Sequence, residues 1–328
     1  MPCRVEPYVD HPDAREELIC FLKQQFSQDA GTPLWAQRLA HWWDANPWAA
    51  VHPQRGWVLR HETTLVGFLG IIPAGYAYEG KAIPALIATS WVVVQEHRNS
   101  ALAMGAQLQK LGRSHLLLDS TPSPEVQRLI SKMGWVGETQ VRRRLLPMGL
   151  AGRLWAKLKR QSWPQLSPGR RIVTEVTEVQ RLVRPWQQNG RLEKWITPEF
   201  LRWYASAPAR KHQFLGVVDA EGTLTSYLWF TPRCRQGVRL WMLLEAFSTE
   251  TDDAELISLV GALVRREVNL PGSKAWLISL LSFPHDSRWA ELPALIQDEA
   301  QVCHFHSLPP ELKGVPKHTV MAEGDFGL

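Results

Sequence analysis

Cysteine is scarce in this 328-residue chain, and the four present, Cys3, Cys20, Cys234 and Cys303, stand far apart. Their scatter excludes a disulfide framework and the close pairs of a structural zinc site or redox centre, so all four read as reduced packing residues. The nearest thing to a ligand cluster is Cys303-His304-Phe305-His306. On an extended strand Cys303 and Phe305 take one face and both histidines the other, which splits the ligands, so no metal is expected. Long apolar runs are lacking too. No stretch approaches the roughly eighteen residues of a membrane span, and the opening MPCRVEPYVDHPDAREEL lacks the basic-then-apolar order of a secretory leader, so the cytoplasm is the expected address.

Acidic residues are missing between Arg142 and Arg171, where nine lysines or arginines gather. There GLAGRLWAKLKRQSW sets Leu150, Leu154, Trp155 and Leu158 at near-helical spacing among Arg153, Lys157, Lys159 and Arg160, and Pro164, Pro168 and Gly169 then break the pattern. Two readings fit: a linker helix packed on one domain with solvated cations, or contact of 142–171 with an anionic surface such as a membrane. No nucleic-acid signature accompanies the patch, so DNA is not an expected partner and RNA is the weakest of the anionic candidates.

What the chain has in quantity is apolar and aromatic surface, 45% hydrophobic residues with sixteen tryptophans, enough for two sizeable cores. The halves repeat an order of elements. LAHWWDANP precedes GWVLRHETTLVGFLGIIP, two strand-like runs joined at His61 to Thr64; FLRWYASAP precedes QFLGVVDAEGTLTSYLWFTP, joined by the turn Asp219 to Gly222. Each half continues with a strand (IATSWVVV, LWMLLEAFS), a helix (ALAMGAQLQKLG, AELISLVGALVRREV) and a strand (HLLLDS, AWLISLLS). Helical PEVQRLISKMGW closes the first half, and RWAELPALIQ is its expected counterpart. Duplication of one α/β (α+β) unit accounts for length and linker. Two domains, 1–148 and 171–328, flank a basic linker at 149–170.

The stretch SWVVVQEHRNSALAMGAQLQKLG, residues 90–112, passes from strand to helix through six polar residues with neither proline nor glycine. A helix start offers unpaired N–H groups and the positive end of the dipole, which suit a phosphate that small residues allow to come close. With Val93, Val94, Gln95, Glu96, His97, Arg98, Asn99, Ser100, Ala101, Leu102 and Ala103 it resembles the V-x-P-E-Y-R-G-x-G-x-G/A element of the GNAT superfamily of acyl-CoA-dependent N-acyltransferases. SPEVQRLISKMGW resembles that family's second element through Lys132, Gly134 and Trp135. The resemblance covers about residues 1–148. It implies two tandem GNAT-like domains, each a mixed, mostly antiparallel sheet flanked by helices. It further implies that main chain near Val93 and Val94 holds the pantetheine arm of acetyl-CoA or another acyl-CoA. Arg98, Asn99, Ser100, Ala101, Leu102 and Ala103 would take its pyrophosphate, with Ser123 in place of a family asparagine. Asp119 and Ser120 would stand beside the thioester as catalytic candidates.

Departures from the family are specific. Ile130 occupies the position of the usual tyrosine acid and Thr89 that of a carboxylate base, leaving Asp119, Ser120, Tyr78 and Glu79 as substitutes. In the second half STETDDAEL puts Glu250, Asp252, Asp253 and Glu255 where a phosphate would sit, so that half is not expected to bind CoA. Trp42, Trp43, Trp48, Trp195, Trp203 and Tyr204 line an acceptor pocket or form core. The resemblance thus implies acyl transfer to an amine of a sugar, peptide or small metabolite. The alternatives are a Fem-type aminoacyltransferase using aminoacyl-tRNA and a non-catalytic scaffold.

Overall fold

The computed structural model describes residues 2–26, 32–182, 190–208, 211–249, 252–268, 270, 274–284 and 286–324. The first half runs β1 (Arg4–Pro7), α1 (Pro12–Gln25), α2 (Thr32–Leu39), β2 (Gly56–His61), β3 (Thr64–Tyr78), β4 (Lys81–Val93), α3 (Ala101–Leu111), β5 (Leu116–Asp119), α4 (Pro124–Lys132) and β6 (Val136–Pro147). After α5 (Gly149–Leu158) come β7 (Arg171–Val173), β8 (Arg181–Leu182), β9 (Glu193–Lys194) and α6 (Pro198–Ala205). The chain continues through β10 (Gln213–Val218), β11 (Thr223–Arg235), β12 (Val238–Ser248), α7 (Ala254–Arg265), β13 (Leu277–Ser282) and β14 (Ile296–Ser307). The repeated hairpin, strand, helix, strand order is therefore present in both halves. Both expected hairpins form, the second on Gly222 at φ 76° with its N–H donating to Asp219 O (3.1 Å).

Among the described residues fourteen strands belong to one sheet, whose main path is β1-β2-β3-β4-β5-β14-β6-β13-β12-β11-β10-β7, with β8 beside β11 and β9 beside β3. The seam between the halves is an exchange. β14 lies between β5 and β6, pairing Phe305 with Asp119 and Ile296 with Leu145, while β6 pairs on its other edge with β13, Ile278 facing Leu146. Arg143 forms an ion pair with Asp298 across this seam, and buried Arg144 donates to Leu292 O (3.1 Å) and Gln297 Oε1 (2.9 Å).

RWAELPALIQ is not a helix, in contrast to the expectation. Pro293 lacks an N–H and disfavours helical geometry at Leu292, and Ile296 and Gln297 are already β14. Among the described residues the second half has no counterpart of α4. Trp289 and Leu292 are buried nonetheless. As the alternation expected, Cys303 and Phe305 pack together on one face of β14 while His304 and His306 are buried on the other.

One core joins the halves: Trp42, Trp43, Phe200, Trp203, Tyr204 and Trp229 share a single buried cluster. Trp43 Nε1 donates to Ile71 O (3.0 Å) and Trp203 Nε1 to His41 O (2.8 Å), so these large aromatic bodies bury apolar area without stranding those two N–H donors. No helix among the described residues is long and apolar enough to cross a membrane.

Candidate functional site

The site begins with a fault in β4. Ser90 takes a left-handed φ of 50°, and the β3–β4 register slips between Phe68 and Gly70, a bulge that bends and twists the strand. Pairing of β4 with β5 covers Ala85 to Ile87 against Leu116 to Leu118 and then stops, so the two parallel strands diverge. A cleft of about 490 Å³ opens beside them. Trp91, Val92, Val93, Arg98, Ala101 and Leu102 line it from the β4–α3 side, and Ser123, Glu125, Val126 and Leu129 from α4, together with Phe26.

Five of the expected cofactor residues meet at this cleft, namely Val93, Arg98, Ala101, Leu102 and Ser123. Val94, Asn99, Ser100 and Ala103 belong to the same strand–turn–helix but are not part of its lining. The polar turn differs from an open cradle. Residues Gln95–Ser100 wind as 3₁₀ turns, in which His97 N–H donates to Val94 O (3.0 Å) and Ala101 N–H to Arg98 O. Without glycine the turn stays right-handed and its main chain bonds to itself. The cation on this wall of the cleft is the exposed Arg98. Ser123 is the N-cap of α4, its Oγ accepting from Val126 N–H (3.3 Å) and donating to Glu125 Oε2 (3.0 Å). Its own backbone N–H, then Ser123, then nearby cations hold the Glu125 carboxyl below its usual range, so the α4 wall is anionic and the Arg98 wall cationic.

Asp119 and Ser120 lie at the end of β5, where the wedge begins, and both are buried. Neither lines the cleft. Asp119 Oδ1 accepts from Thr121 N–H (3.2 Å), and Gly324 sits so close to Ser120 that a β-carbon on it would come within 1.9 Å of Ser120 Oγ. Tyr78 and Glu79 are far from this apex in sequence terms, at the β3–β4 hairpin tip. Behind β4 a small cavity of about 20 Å³ has Ile87, Tyr76, Lys194, Tyr204, Glu323 and Gly324 in its walls. Of the aromatic residues expected to line a pocket, Trp203 and Tyr204 border this space, Trp42 and Trp43 are core, and Trp48 packs edge-on against Trp195.

Sequence reasoning missed the charged group beneath that cavity. Tyr76 OH donates to Glu323 Oε1 (2.9 Å), and Lys317 Nζ reaches both Glu323 oxygens (2.8 and 2.7 Å) and Thr319 Oγ1 (2.7 Å). Burial pushes the Glu323 carboxyl up, but the Lys317 ammonium and His304 outweigh it and bring it down to about 2. Such a carboxylate is too weakly basic to take a proton from an amine near neutral pH. Lys194 Nζ pairs with Glu245 (2.7 Å), which also accepts from Tyr227 OH (2.8 Å). These residues come from β3, β9, β11, β12, β14 and the segment after β14, and no local motif marks them.

The second half builds the same wedge and closes it. β12 pairs with β13 over Leu240 to Met242, a bulge follows opposite Trp229 and Phe230, and the strands part. Here Ala322 N–H donates to Leu244 O (3.0 Å) and Arg288 Nη1 to Ala246 O (2.6 Å), leaving about 20 Å³. Glu255 does not face solvent at the helix start. It is buried, accepting from Thr225 Oγ1 (2.7 Å) and Ser226 Oγ (2.6 Å). Trp163 covers α7 at Gly261, where a β-carbon would meet its indole at 2.7 Å. Glu250 lies outside the described residues.

No family model matches the sequence, and no curated protein sequence matches it. Solved structures do. A GCN5-related N-acetyltransferase from Anabaena variabilis is similar with a TM-score of 0.63 and 13% identity, over 92% of this chain and 72% of that one. A protein of unknown function from Enterococcus faecalis, described as a probable N-acyltransferase, gives 0.62 and 12% over 96% and 75%. A GCN5-related N-acetyltransferase from Kribbella flavida gives 0.57 and 12% over 96% and 74%. At such identities the likeness is one of fold, and it extends over both halves: the chain shares the fold of these GCN5-related N-acetyltransferase structures.

Proposed function

We propose that the protein is an acyl-CoA-dependent N-acyltransferase whose first half binds the thioester. The carrying observation is the bulge at Ser90 with the divergence of β4 from β5, opening onto a cleft with Arg98 on one wall. An arm lying along Val92 and Val93 would place its thioester toward Asp119 and Ser120, where an amine entering between the halves meets it. The neutral amine nitrogen attacks the carbonyl carbon, the C–S bond breaks, and the proton shed by the nitrogen ends on the departing thiolate, giving an amide and free CoA thiol. The acceptor is an amine of a sugar, peptide or small metabolite, and the acyl group acetyl or longer. The filled wedge of the second half favours one working half.

Acetyl-CoA or a longer acyl-CoA at a hundredfold excess over its dissociation constant is expected to stabilise the protein by about 2.7 kcal/mol, read as a rise in Tm. Arg98→Glu should weaken that binding by about 10–100-fold, since a charge-assisted bond to phosphate is worth about 1.5–3 kcal/mol. Thiol release with a panel of amines then reports turnover. No shift with any acyl-CoA, and none lost in Arg98→Glu, would sink the reading.

As a partner we propose an anionic lipid surface, on a narrower footing than the whole segment 142–171. Arg143 and Arg144 are spent inside the sheet, and Arg171 pairs with Glu178. On α5, however, Gly152, Trp155 and Ala156 are buried while Leu150, Leu154 and Leu158 are 76, 55 and 83% exposed beside Lys157, Lys159 and Arg160. Trp276, 68% exposed, adjoins the start of α5 through the Met148 N–H to Trp276 O bond (3.0 Å). An apolar stripe rimmed by cations fits an interfacial helix. Sedimentation with anionic vesicles is expected to exceed that with neutral ones, and a Leu150→Ser, Leu154→Ser, Leu158→Ser variant should lose at least about tenfold. Equal binding to neutral vesicles would remove the proposal.

A further inference from the structure

We infer that Cys3, His61 and His97 form a three-ligand site for a transition-metal ion, zinc being the ion its donors fit. The three come from separate places: the residue before β1, the last residue of β2, and the 3₁₀ turn after β4. The backbone brings them together. β1 and β2 are antiparallel with Arg4 opposite Arg60, so one step outward Cys3 faces His61, and the turn that leaves β4 delivers His97 to the same spot.

Their distances suit a metal. Cys3 Sγ lies 3.3 Å from His97 Nδ1 and 4.0 Å from His61 Nδ1. The two imidazole centroids are 4.7 Å apart, and one donor atom from each residue falls within 4.8 Å of the others. A tetrahedral zinc with Zn–S of about 2.3 Å and Zn–N of about 2.0 Å holds its sulfur and nitrogen ligands about 3.5 Å apart, between the two observed separations. One thiolate and two imidazoles are a borderline-soft set that favours zinc over magnesium or calcium, which want carboxylate and carbonyl oxygens. All three residues are half-buried, so an ion can reach them and a water can complete its coordination. Binding displaces the thiol proton to solvent and ties the turn before Arg98 to the edge strand β1. The inference stands on these three side chains alone and does not depend on acyl-CoA binding.

The test is a titration of the metal-free full-length protein with Zn²⁺ against a chromophoric chelator, with Co²⁺ as a spectroscopic probe. One equivalent of tight zinc is expected, together with a thiolate-to-cobalt charge-transfer band in the near ultraviolet. Cys3→Ser should abolish the band, and Cys3→Ser, His61→Gln and His97→Gln should each weaken zinc by about tenfold or more, while Cys20→Ser and Cys303→Ser change nothing. A measurement that needs no variant is alkylation of the wild type: zinc should slow modification of Cys3 and leave Cys20 as reactive as before. No zinc binding, a band that survives Cys3→Ser, or Cys3 alkylation indifferent to zinc would overturn the site.

Discussion

Replacing Lys317 with methionine is expected to cost about 3–5 kcal/mol of stability, because removal of one partner strands the buried charge of the other. Both side chains of the Lys317–Glu323 pair are 2% exposed. Without the ammonium, Glu323 keeps the Tyr76 hydroxyl and a distant His304 (3.9 Å) as its polar neighbours among those described, in a site whose burial favours the protonated acid. The pH dependence follows from the sign of the shift. A carboxyl depressed to about 2 contributes stability that is complete above the unfolded carboxyl range near 4.5 and is lost as pH falls toward 2. In Lys317→Met that contribution is absent, and Glu323 instead gains a proton easily. The gap between wild type and variant should therefore be widest at neutral pH and shrink in acid. Urea denaturation at pH 7 and near pH 3 measures both. A loss below about 1 kcal/mol, or a gap that widens in acid, contradicts the assignment. A Lys317→Met, Glu323→Leu double variant should recover much of the loss, since an apolar replacement of a buried pair is often neutral.

Residues 1–148 expressed alone are expected not to fold cooperatively. Both neighbours of β6, β14 and β13, come from the other half, and β5 loses β14 as well. The fragment would keep β1 to β5 but leave Val136 to Pro147 with no ladder, exposing Val141 and Leu146, which are buried in the whole chain. Far-ultraviolet circular dichroism of the fragment should show no sharp thermal transition, and mixing with residues 149–328 should restore one. A fragment that melts cooperatively by itself would mean that the exchange is not needed for folding.

The repeated order of hairpins, strands and helices was legible because each element carries a local pattern: a short buried apolar run in β10, helical spacing in α3 and α7, Asp219-Ala-Glu-Gly222 at a turn. The strand–turn–helix holding Val93, Arg98, Ala101 and Leu102 was legible for the same reason. Its hydrogen bonding was not, since whether a helix start is open or wound into 3₁₀ turns depends on backbone conformation that residue types alone do not dictate. Pairings across the chain stayed hidden. β6 and β14 look like ordinary closing strands, and nothing in Arg142-Arg143-Arg144 announces that Asp298 and Gln297 will answer it from the other half. The same blindness covers Lys317 with Glu323, and Cys3 with His61 and His97, because spacing rules for ligands look along the chain and these groups meet through strand register.

The exchanged strands also set a timetable for synthesis. About 150 residues separate the end of β6 from the start of β14, so at about 5–20 residues per second a ribosome needs roughly 8–30 s to deliver the partner that β5 and β6 await. Through that interval the nascent chain carries an open edge on β5 and an unpaired β6, edges of the kind that nucleate aggregation. Three consecutive arginines, Arg142 to Arg144, sit on the waiting strand, and their mutual repulsion discourages two nascent copies from zipping together there before the rightful acidic partner emerges.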